Sequence, residues 1–499
     1  MSLPRSFFLI AALVRLVAGF GRFSRLDLKP MHHDEGVNHH FVDRFLIGEG
    51  YAYSPDNFHG PLLYEIAFPV VALLGDDETV LRAMPAVMGL VAVVATLAAA
   101  PLVGPVGVLF GASVLAVAAP DVYFSRTFIH EVYLSLFLIA TIVFGLRFLR
   151  DARPRDLHGT LISLVAAFAI KETTAIAVLG MAAGFAVARV AGYESPSGVT
   201  FTNPLPRIGL RRALDAAGIA LIVWILMFTT FGTNPRGIVD FFVAYVPWLK
   251  TGVSDTGHVK SAIYFPRLVL YYYWPLLIAA VPALVDVART RCRDSIFFLT
   301  FFAVQLAVYS AIPYKTPWCV MPIVVPLVFL AAIGVQTAWR IAEPNLAARI
   351  CLAAAMPAAV VAIGSYSWKV NFEQYDEDRE PIVYVQTLRR YLEMIPVIDA
   401  AAKNDQGNST EILIVDYQSP TKYYLRAYRN KTYYANAPEL PVTTPVVIAS
   451  KSYADKVREK LASPYVESRY PVWPGMELVL FVREDLTADP TKNGEPIDG

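Results

Sequence analysis

Five of the eight histidines and the acidic pair Asp34-Glu35 lie between residues 32 and 59, just after the first apolar stretch of the chain. The segment reads Met31-His32-His33-Asp34-Glu35-Gly36-Val37-Asn38-His39-His40, and His59-Gly60-Pro61 follows it. Carboxylates among imidazoles can take up a proton or bind a metal ion. Because neither property is needed to anchor a chain in a membrane, this segment is the first candidate for an active site.

Asp34 is predicted to be the general base of that site. Desolvation at a membrane interface raises the proton affinity of a carboxylate, which suits removal of a proton from a hydroxyl acceptor. The alternative is structural, since an acidic pair at the amino terminus of a helix stabilises the helix dipole. If residues 35–47 form a helix, then Glu35, His39 and Asp43 share one face at i, i+4 spacing and could hold a divalent metal ion.

Three further segments place charged side chains at the ends of apolar stretches. One loop carries Arg126 and Glu131, the pair Lys171-Glu172 interrupts an apolar run, and Tyr314-Lys315 lies in a turn between two prolines. A charged side chain inside a membrane is costly unless it forms an ion pair or has a function. Two of these positions therefore have a purely structural alternative. Arg126 could be an anchor at the membrane interface, and Lys171 and Glu172 could simply form an ion pair with each other. Three cations around an acidic centre nevertheless indicate a phosphate site, and Arg126, Lys171 and Lys315 are its predicted ligands.

The composition indicates a polytopic membrane protein. Hydrophobic residues make up 56% of the 499 residues, charged residues 17%, and the mean hydropathy is +0.46. Such a chain is too apolar for a soluble enzyme and must bury surface in lipid. The net charge of +1 offers no broad basic field, so nucleic acid is excluded as a partner. Neither a zinc-ligand spacing nor a disulfide framework is visible in the three cysteines.

The membrane topology is predicted from the apolar stretches and from the arginine clusters beside them. The stretches lie at residues 6–20, 61–75, 81–100, 105–119, 131–149, 160–190, 213–231, 268–288, 296–312, 317–338 and 349–366. A bilayer requires roughly 20 residues per helix, and clustered arginines favour the cytoplasmic side. Every arginine cluster falls inside if residues 61–75 lie along the interface and residues 160–190 cross twice.

The arrangement that places every arginine cluster inside predicts about eleven transmembrane helices in the cell membrane, with a cytoplasmic amino terminus. The segments predicted to be external are residues 21–80, 120–130, 171–172, 232–266, 313–316 and the whole carboxyl-terminal region. All the candidate site residues then lie on the extracytoplasmic side.

The chain is predicted to have two domains, a transmembrane domain of residues 1–369 with a large first external loop, 21–80, and a soluble domain of residues 370–499. Polar and charged residues become more frequent beyond residue 370. Strands are expected at 411–416, 445–449 and 476–482, and helices at 384–402, 420–429 and 451–462. This pattern is typical of a small α/β domain.

These motifs resemble the polyprenyl-phosphate-sugar glycosyltransferases of the GT-C fold, which include protein O-mannosyltransferases and the aminoarabinose transferase of lipid A. The resemblance rests on the acidic pair Asp34-Glu35, the His59 to Tyr64 stretch, the Arg126 to Glu131 loop, Lys171 and Tyr314-Lys315. It covers roughly residues 1–366. The chain looks most similar to the prokaryotic flippase-activity-associated family, and the carboxyl-terminal domain resembles that family alone.

The resemblance implies inverting transfer of a sugar from a polyprenyl-phosphate donor to a protein, glycan or lipid acceptor at the outer membrane face. Asp34 and Glu131 match the acidic residues of the first and second loops, so they and Glu35 are the catalytic candidates. Glu131 stands where related enzymes often have Asp. Lys171 and Lys315 match positions that cradle the donor phosphate. The remaining residues of the shared motifs, His59, Tyr64 and Tyr314, are candidates for substrate binding.

Two other functions remain open on the sequence. The chain could be a non-catalytic partner of a lipid-linked-sugar flippase or a transporter, although transport predicts polar groups near the midplane and internal repeats, and no repeat is visible. It could also be an oligosaccharide transferase acting on asparagine, although no acceptor-reading motif is found in the carboxyl-terminal region. The sequence contains no phosphate-binding glycine-rich loop, so nucleotide-sugar donors have no support.

Overall fold

The computed structural model describes residues 3–57, 59–193, 195–253, 258–416 and 419–487. The contacts among these residues divide the chain into two compact units. Unit 1 consists of the residues up to Leu26 together with Arg44–Gln374, and unit 2 consists of Asp27–Asp43 together with the residues from Tyr375 onward. This division falls close to the predicted boundary at residue 370. The grouping of Asp27–Asp43 with the carboxyl-terminal residues has no counterpart in the sequence prediction.

Unit 1 is built from helices that follow the apolar stretches of the sequence. Its helices are Arg5–Phe23, Leu62–Leu74, Glu78–Leu97, Ala100–Val103, Pro105–Val117, Ala119–Phe124, Glu131–Asp151, Pro154–Ile170, Thr174–Ala191, Leu205–Ile208, Leu210–Phe228, Gly237–Val243, Tyr245–Val253, Tyr264–Thr290, Arg293–Ala311, Val320–Ile341 and Leu346–Trp368. Polar side chains begin some of them. The Asp77 carboxylate, for example, accepts a hydrogen bond from the Val80 N–H at 2.9 Å and so caps Glu78–Leu97.

Eight helical segments of the described chain are long and apolar enough to cross a membrane. They are Arg5–Phe23, Glu78–Val103, Glu131–Asp151, Thr174–Ala191, Tyr264–Thr290, Arg293–Ala311, Pro317–Ile341 and Leu346–Glu373. The predicted polytopic helical class is therefore confirmed. The other three predicted spans are also helical, but Pro105–Val117 and Pro154–Ile170 are short and Leu210–Phe228 begins with charged residues. The count of eleven stays a prediction.

The helix Val320–Ile341 forms the centre of unit 1. Its first charged residue is Arg340, and every residue from Val320 to Gln336 is buried. A helix that is apolar on all sides must be covered on all sides. The helices Tyr264–Thr290, Pro105–Val117 and Arg293–Ala311 provide much of that cover.

The loops that were predicted to be external contact one another within unit 1. The Gly60 N–H donates to the Ile170 carbonyl at 3.1 Å, the Asn234 amide donates to the Tyr53 carbonyl at 3.3 Å, and the Lys315 N–H donates to the His258 carbonyl at 3.0 Å. These contacts are expected if the loops share one end of the helix bundle.

The loops that were predicted to be cytoplasmic also contact one another. The Arg150 guanidinium donates to the Pro101 carbonyl at 2.8 Å, and that of Arg207 donates to the Arg150 carbonyl at 3.0 Å. The Arg293 guanidinium donates to the Gly192 carbonyl at 3.0 Å. This grouping is consistent with the predicted topology, and which group faces the cytoplasm stays a prediction.

Unit 2 contains a five-stranded sheet covered by helices on both faces. Its strands in chain order are β1 Ile412–Val415, β2 Lys431–Tyr434, β3 Val446–Ser450, β4 Tyr465–Trp473 and β5 Met476–Arg483. They are arranged β2-β1-β3-β5-β4, with β1 parallel to β2 and β3, and β5 antiparallel to β3 and β4. The helix Met394–Lys403 packs on one face and Lys451–Arg458 on the other. The remaining helices of unit 2 are short, apart from His33–Leu46, most of which belongs to this unit.

The predicted α/β character of the carboxyl-terminal region is confirmed. Three strands and the helix Lys451–Arg458 lie where the sequence predicts them. The predicted helix at 420–429 is a single turn, Thr421–Tyr424. The strands β2 and β4 were not predicted, because each lies at an edge of the sheet and is only partly buried.

Candidate active site

A buried ion pair joins two of the predicted site residues in unit 1. Glu131 is the first residue of Glu131–Asp151, and Lys171 follows the last residue of Pro154–Ile170. The Lys171 ammonium donates to a Glu131 carboxylate oxygen, and the two residues are only 8% and 2% exposed. Because the carboxylate lies at a helix amino terminus, the helix dipole also stabilises its charge. The charge of Lys171 is therefore balanced inside the protein.

The segment His59-Gly60 runs directly against the backbone at Lys171. His59 pairs with Lys171 in an antiparallel bridge. A Cβ atom placed on Gly60 would lie 2.1 Å from the Ala169 carbonyl oxygen, so only glycine permits this approach. The bridge holds the His59 ring with its centroid 4.6 Å from that of His130.

A second buried carboxylate, that of Glu172, lies in the same cluster. The Tyr53 hydroxyl donates to one Glu172 oxygen at 3.2 Å, and His59 Nδ1 lies 3.8 Å from the other. The Tyr64 ring packs edge-on against His130, with centroids 5.8 Å apart. Burial lowers the pKa of His130 well below its usual value, which keeps its ring neutral. The structure thus gathers His59, Tyr64, Glu131 and Lys171 into one cluster.

Arg126 lies elsewhere in unit 1 and holds the carboxyl end of the first helix. Its guanidinium donates to the backbone carbonyls of Gly21 at 3.3 Å, Arg25 at 2.8 Å and Ser24. The group also lies 4.4 Å from the centroid of the Phe372 ring. The guanidinium thus satisfies one carbonyl from the last turn of the helix, that of Gly21, and two carbonyls from the turn that follows it. Arg126 is thus engaged by the protein itself.

Lys315 forms a pair with Lys260, a residue that was not predicted. The Lys315 ammonium donates to the Lys260 carbonyl at 3.1 Å and to the Ile312 carbonyl, and the Lys260 ammonium donates to the Lys315 carbonyl at 2.8 Å. Burial lowers the pKa of Lys315; the pKa of Lys260 is lowered by burial and then by the charge of Lys315. The Tyr314 and His258 rings pack beside them with centroids 4.9 Å apart.

In the lysine pair, each ammonium group donates to the backbone carbonyl of the other residue. Lys315 forms no ion pair with any described residue, so its charge is balanced only by carbonyl dipoles. The only sequence signal for Lys260 is that it stands alone shortly before the span Tyr264–Thr290, as Lys315 does before Pro317–Ile341. Two cations held this close can bind an anion such as phosphate.

Asp34 lies in unit 2, in the first turn of His33–Leu46. Its backbone N–H donates to His32 Nδ1 at 3.0 Å, and the His32 N–H donates to the Glu35 carboxylate at 2.8 Å. This reciprocal pattern is a capping box, so Glu35 has the structural role that was the alternative for the acidic pair. Asp34 is half-buried, and no described residue donates a hydrogen bond to its carboxylate.

His32 is a residue near Asp34 that the site prediction omitted. Its Nε2 lies 2.8 Å from the Tyr384 carbonyl, while its Nδ1 accepts from Asp34. These contacts place the ring proton on Nε2 of a neutral imidazole. Burial, the largest influence, lowers the pKa of His32, in agreement with a neutral ring.

The predicted metal stripe does not form a metal site in the described part of the chain, where no group of three His, Cys, Asp or Glu side chains is arranged to hold an ion. Glu35 caps the helix, and the His39 ring packs edge-on against Tyr423 at 4.9 Å. Asp43 lies close enough to Tyr433 to raise the pKa of that phenol, after the larger effect of burial. Glu35, His39 and Asp43 do share one helix face, but each side chain contacts another group of unit 2 instead of a common metal ion.

Comparisons with known proteins agree with this architecture. A family profile described as Dolichyl-phosphate-mannose-protein mannosyltransferase matches residues 59–197. The crystal structure of ArnT from Cupriavidus metallidurans bound to undecaprenyl phosphate superimposes with a TM-score of 0.68, at 14% identity, over 98% of this chain and 100% of that one. No curated protein sequence matches significantly.

A second solved structure shows the same fold over a smaller share of its length. The oligosaccharyltransferase of Archaeoglobus fulgidus, tethered to an acceptor peptide, superimposes with a TM-score of 0.57 at 10% identity, over 93% of this chain and 69% of that one. The family match contains the whole His59, Glu131 and Lys171 cluster. The chain is therefore a multi-pass membrane protein with the GT-C fold, which it shares with ArnT and the archaeal oligosaccharyltransferase.

Proposed function

We propose that this protein transfers a sugar from a polyprenyl-phosphate donor to an acceptor hydroxyl at the extracytoplasmic membrane face. The observation that carries the proposal is the likeness to ArnT, a protein solved with undecaprenyl phosphate, over nearly the whole chain. The lysine pair Lys260 and Lys315 supports it, since a GT-C chain that uses such a donor needs cations for the lipid phosphate. The closer resemblance to the flippase-activity-associated family stays a prediction.

The proposed reaction is a single displacement at the anomeric carbon of the donor sugar. Asp34 removes the proton of the acceptor hydroxyl, and the acceptor oxygen forms a bond to the anomeric carbon from the side opposite the phosphate. The bond between that carbon and the phosphate oxygen breaks, so the configuration inverts and polyprenyl phosphate leaves. Asp34 suits this role because its carboxylate is half-buried and accepts no hydrogen bond from a described residue.

Lys315 and Lys260 are the proposed ligands of the leaving phosphate. Negative charge accumulates on the phosphate as its bond to the sugar breaks, and cations already in place stabilise that charge without rearranging. Lys171 and Arg126 are engaged within the protein, so we assign them structural roles in unit 1. His59, Tyr64 and Tyr314 are proposed to contact the substrates. The acceptor can be a protein, a glycan or a lipid.

The test is the release of free lipid phosphate from a panel of polyprenyl-phosphate sugars by the purified protein. Asp34→Asn should lower the rate by roughly 100-fold or more, because general-base catalysis contributes about 10²–10⁴-fold. The matched control is Asp27→Asn, which changes an exposed carboxylate of the same unit and should leave the rate unchanged.

Two outcomes would contradict the assignment. Unchanged release in Asp34→Asn would remove Asp34 from the reaction. If the wild-type protein released no lipid phosphate from any donor but bound the donors, the alternative of a non-catalytic partner of a flippase or transporter would be favoured.

A further inference from the structure

Unit 2 has a row of polar side chains at one edge of its sheet that the proposed transfer does not use. The strands β1, β2 and β3 run parallel, so their carboxyl ends meet at the same edge. Asp416 follows β1, Asn436 lies two residues beyond β2, and Ser450 ends β3. Three strands therefore deliver three polar residues to one place.

The edge has the topology of a binding crevice. The connection from β1 leads to β2 on one side, whereas the connection from β3, through the helix Lys451–Arg458, leads to β4 on the other side. Where the connections of two adjacent parallel strands leave in opposite directions, a crevice opens at their carboxyl ends, and this is where open α/β sheets bind ligands.

Hydrogen bonds organise the side chains along this crevice. The Ser450 hydroxyl donates to Asp416 Oδ2 at 2.6 Å, and the hydroxyl oxygens of Ser450 and Ser452 lie 2.8 Å apart. The Tyr453 hydroxyl donates to Asn436 Oδ1 at 3.1 Å. No described residue donates to Asp416 Oδ1, which leaves that oxygen able to accept hydrogen bonds from a ligand.

The side chains at the edge are accessible. Asp416, Asn436 and Ser452 are exposed, and Tyr434 beside them is 46% exposed. The backbone of Asp416 has a φ of +76°, a left-handed conformation that residues other than glycine seldom adopt.

The chemistry of the edge favours a neutral ligand with many hydroxyl groups. A single carboxylate repels anions, and the described residues contain no group arranged to hold a metal ion. A carboxylate and an amide can each engage two neighbouring hydroxyls, serine hydroxyls can donate or accept, and an exposed aromatic ring offers an apolar face. A nucleotide fits less well, because no glycine-rich phosphate loop follows β1.

We propose that the edge formed by Asp416, Asn436, Ser450 and Ser452 binds carbohydrate, with Asp416 accepting hydrogen bonds from adjacent sugar hydroxyls. None of these four residues has a part in the proposed transfer reaction, so this proposal does not depend on the transferase activity. It would hold a glycan, whether free, protein-borne or the head group of a glycolipid.

The test uses the full-length protein in a detergent without a sugar head group, such as an alkyl amine oxide. Saturation-transfer NMR is recorded with methyl glycosides of mannose, glucose, galactose and arabinose, and with the same glycosides methylated at every hydroxyl. We expect signals from at least one free glycoside and none from its methylated form. Absence of signal from every free glycoside, or equal signals from the methylated forms, would overturn the proposal.

The variant Asp416→Asn identifies the site. Asparagine tolerates the left-handed backbone and keeps an oxygen for Ser450, but its amide replaces a hydrogen-bond acceptor with a donor. The affinity for the glycoside should fall at least tenfold, while release of lipid phosphate from the donor stays at the wild-type rate. The control Asp455→Asn changes an exposed carboxylate on Lys451–Arg458 and should bind normally. Equal affinity in Asp416→Asn and wild type would place the sugar elsewhere and refute the assignment.

Vesicles distinguish the sources of the sugar. Displacement of the bound glycoside by phosphatidylcholine vesicles that contain a monoglucosyl lipid, but not by phosphatidylcholine alone, would support a glycolipid head group. Displacement by neither would support a free or protein-borne glycan.

Discussion

Two lysines of unit 1 look alike in the sequence and differ in the structure. Lys171 and Lys315 each stand at the end of an apolar run, and both match positions expected to bind a phosphate. Lys171 is paired with Glu131 inside the protein, whereas Lys315 forms no ion pair with a described residue and lies beside a second cation, Lys260. A lysine is available to a ligand only if the protein leaves its charge unbalanced. This difference is the reason why we propose a structural role for Lys171 and a phosphate-binding role for Lys315.

Breaking the Lys171 ion pair should have the largest effect on stability. Glu131→Gln leaves a buried ammonium without its partner, which typically costs about 3–5 kcal/mol. We expect a clearly lower Tm of the purified protein. The double variant Glu131→Gln/Lys171→Met should recover most of the loss, because it removes both buried charges. A single variant with the Tm of the wild type would show that the pair does not stabilise the fold.

Removing the charge of Lys260 or Lys315 should weaken binding of the donor and leave the fold intact. A hydrogen bond to a charged group contributes about 1.5–3 kcal/mol, so Lys315→Ala and Lys260→Ala should each raise the donor KM by roughly tenfold or more. The assay is release of lipid phosphate at varied donor concentration. Lys250→Ala, which removes an exposed lysine from the neighbouring helix Tyr245–Val253, is the matched control. A normal donor KM in both pair variants would end the proposed phosphate role.

The pH dependence of donor binding separates the two members of the pair. Lysine binds phosphate in its charged form, which exists below its pKa, and the pKa of Lys260 is lowered by burial and by Lys315. Donor affinity should therefore decline at a lower pH than for an ordinary lysine with a pKa of about 10.4. In Lys315→Gln the repulsion between the charges is gone, so the pKa of Lys260 rises and the remaining binding should persist to higher pH. Identical pH profiles for the two proteins would show that the charges do not interact.

Substitution of Arg126 should have the smallest effect on the donor KM. Lysine in its place keeps the charge but cannot donate to three carbonyls at once in the guanidinium geometry. Arg126→Lys should lower stability by about 1 kcal/mol through weakened bonds to Gly21, Ser24 and Arg25, and leave the donor KM unchanged. A rise in KM comparable with that of Lys315→Ala would return Arg126 to the phosphate site.

The sequence predicts those parts of the fold whose signal is local. The span Glu131–Asp151 is a long apolar run, which is typical of a membrane helix. The strand Ile412–Val415 is a short, uniformly apolar run, which is typical of a buried strand. The edge strand Tyr465–Trp473 was not predicted, because polar residues and Pro471 interrupt its apolar pattern. The strand is stabilised by its pairing with β5, which the sequence pattern does not reveal.

The sequence identifies candidate site residues but not the contacts that surround them. The sequence identified Lys171 and Glu131 separately, yet only the fold shows that they neutralise each other. It missed Lys260, because a lone lysine in a loop has no pattern and gains meaning only from its contact with Lys315. The capping role of Glu35 depends on where the helix begins, which sequence patterns place only within a few residues.

Unit 2 consists of two segments that lie far apart in the chain, so it can fold only after the second segment has been synthesised. The helix that carries Asp34 emerges early from the ribosome, but the His32 ring bonds to the Tyr384 carbonyl and the Met31 N–H donates to the Tyr424 hydroxyl. At about 5–20 residues per second, these partners arrive tens of seconds later. A nascent chain that stops before residue 375 would carry Asp34 and Glu35 without the partners at Tyr384 and Tyr424 that fix the residues just before them.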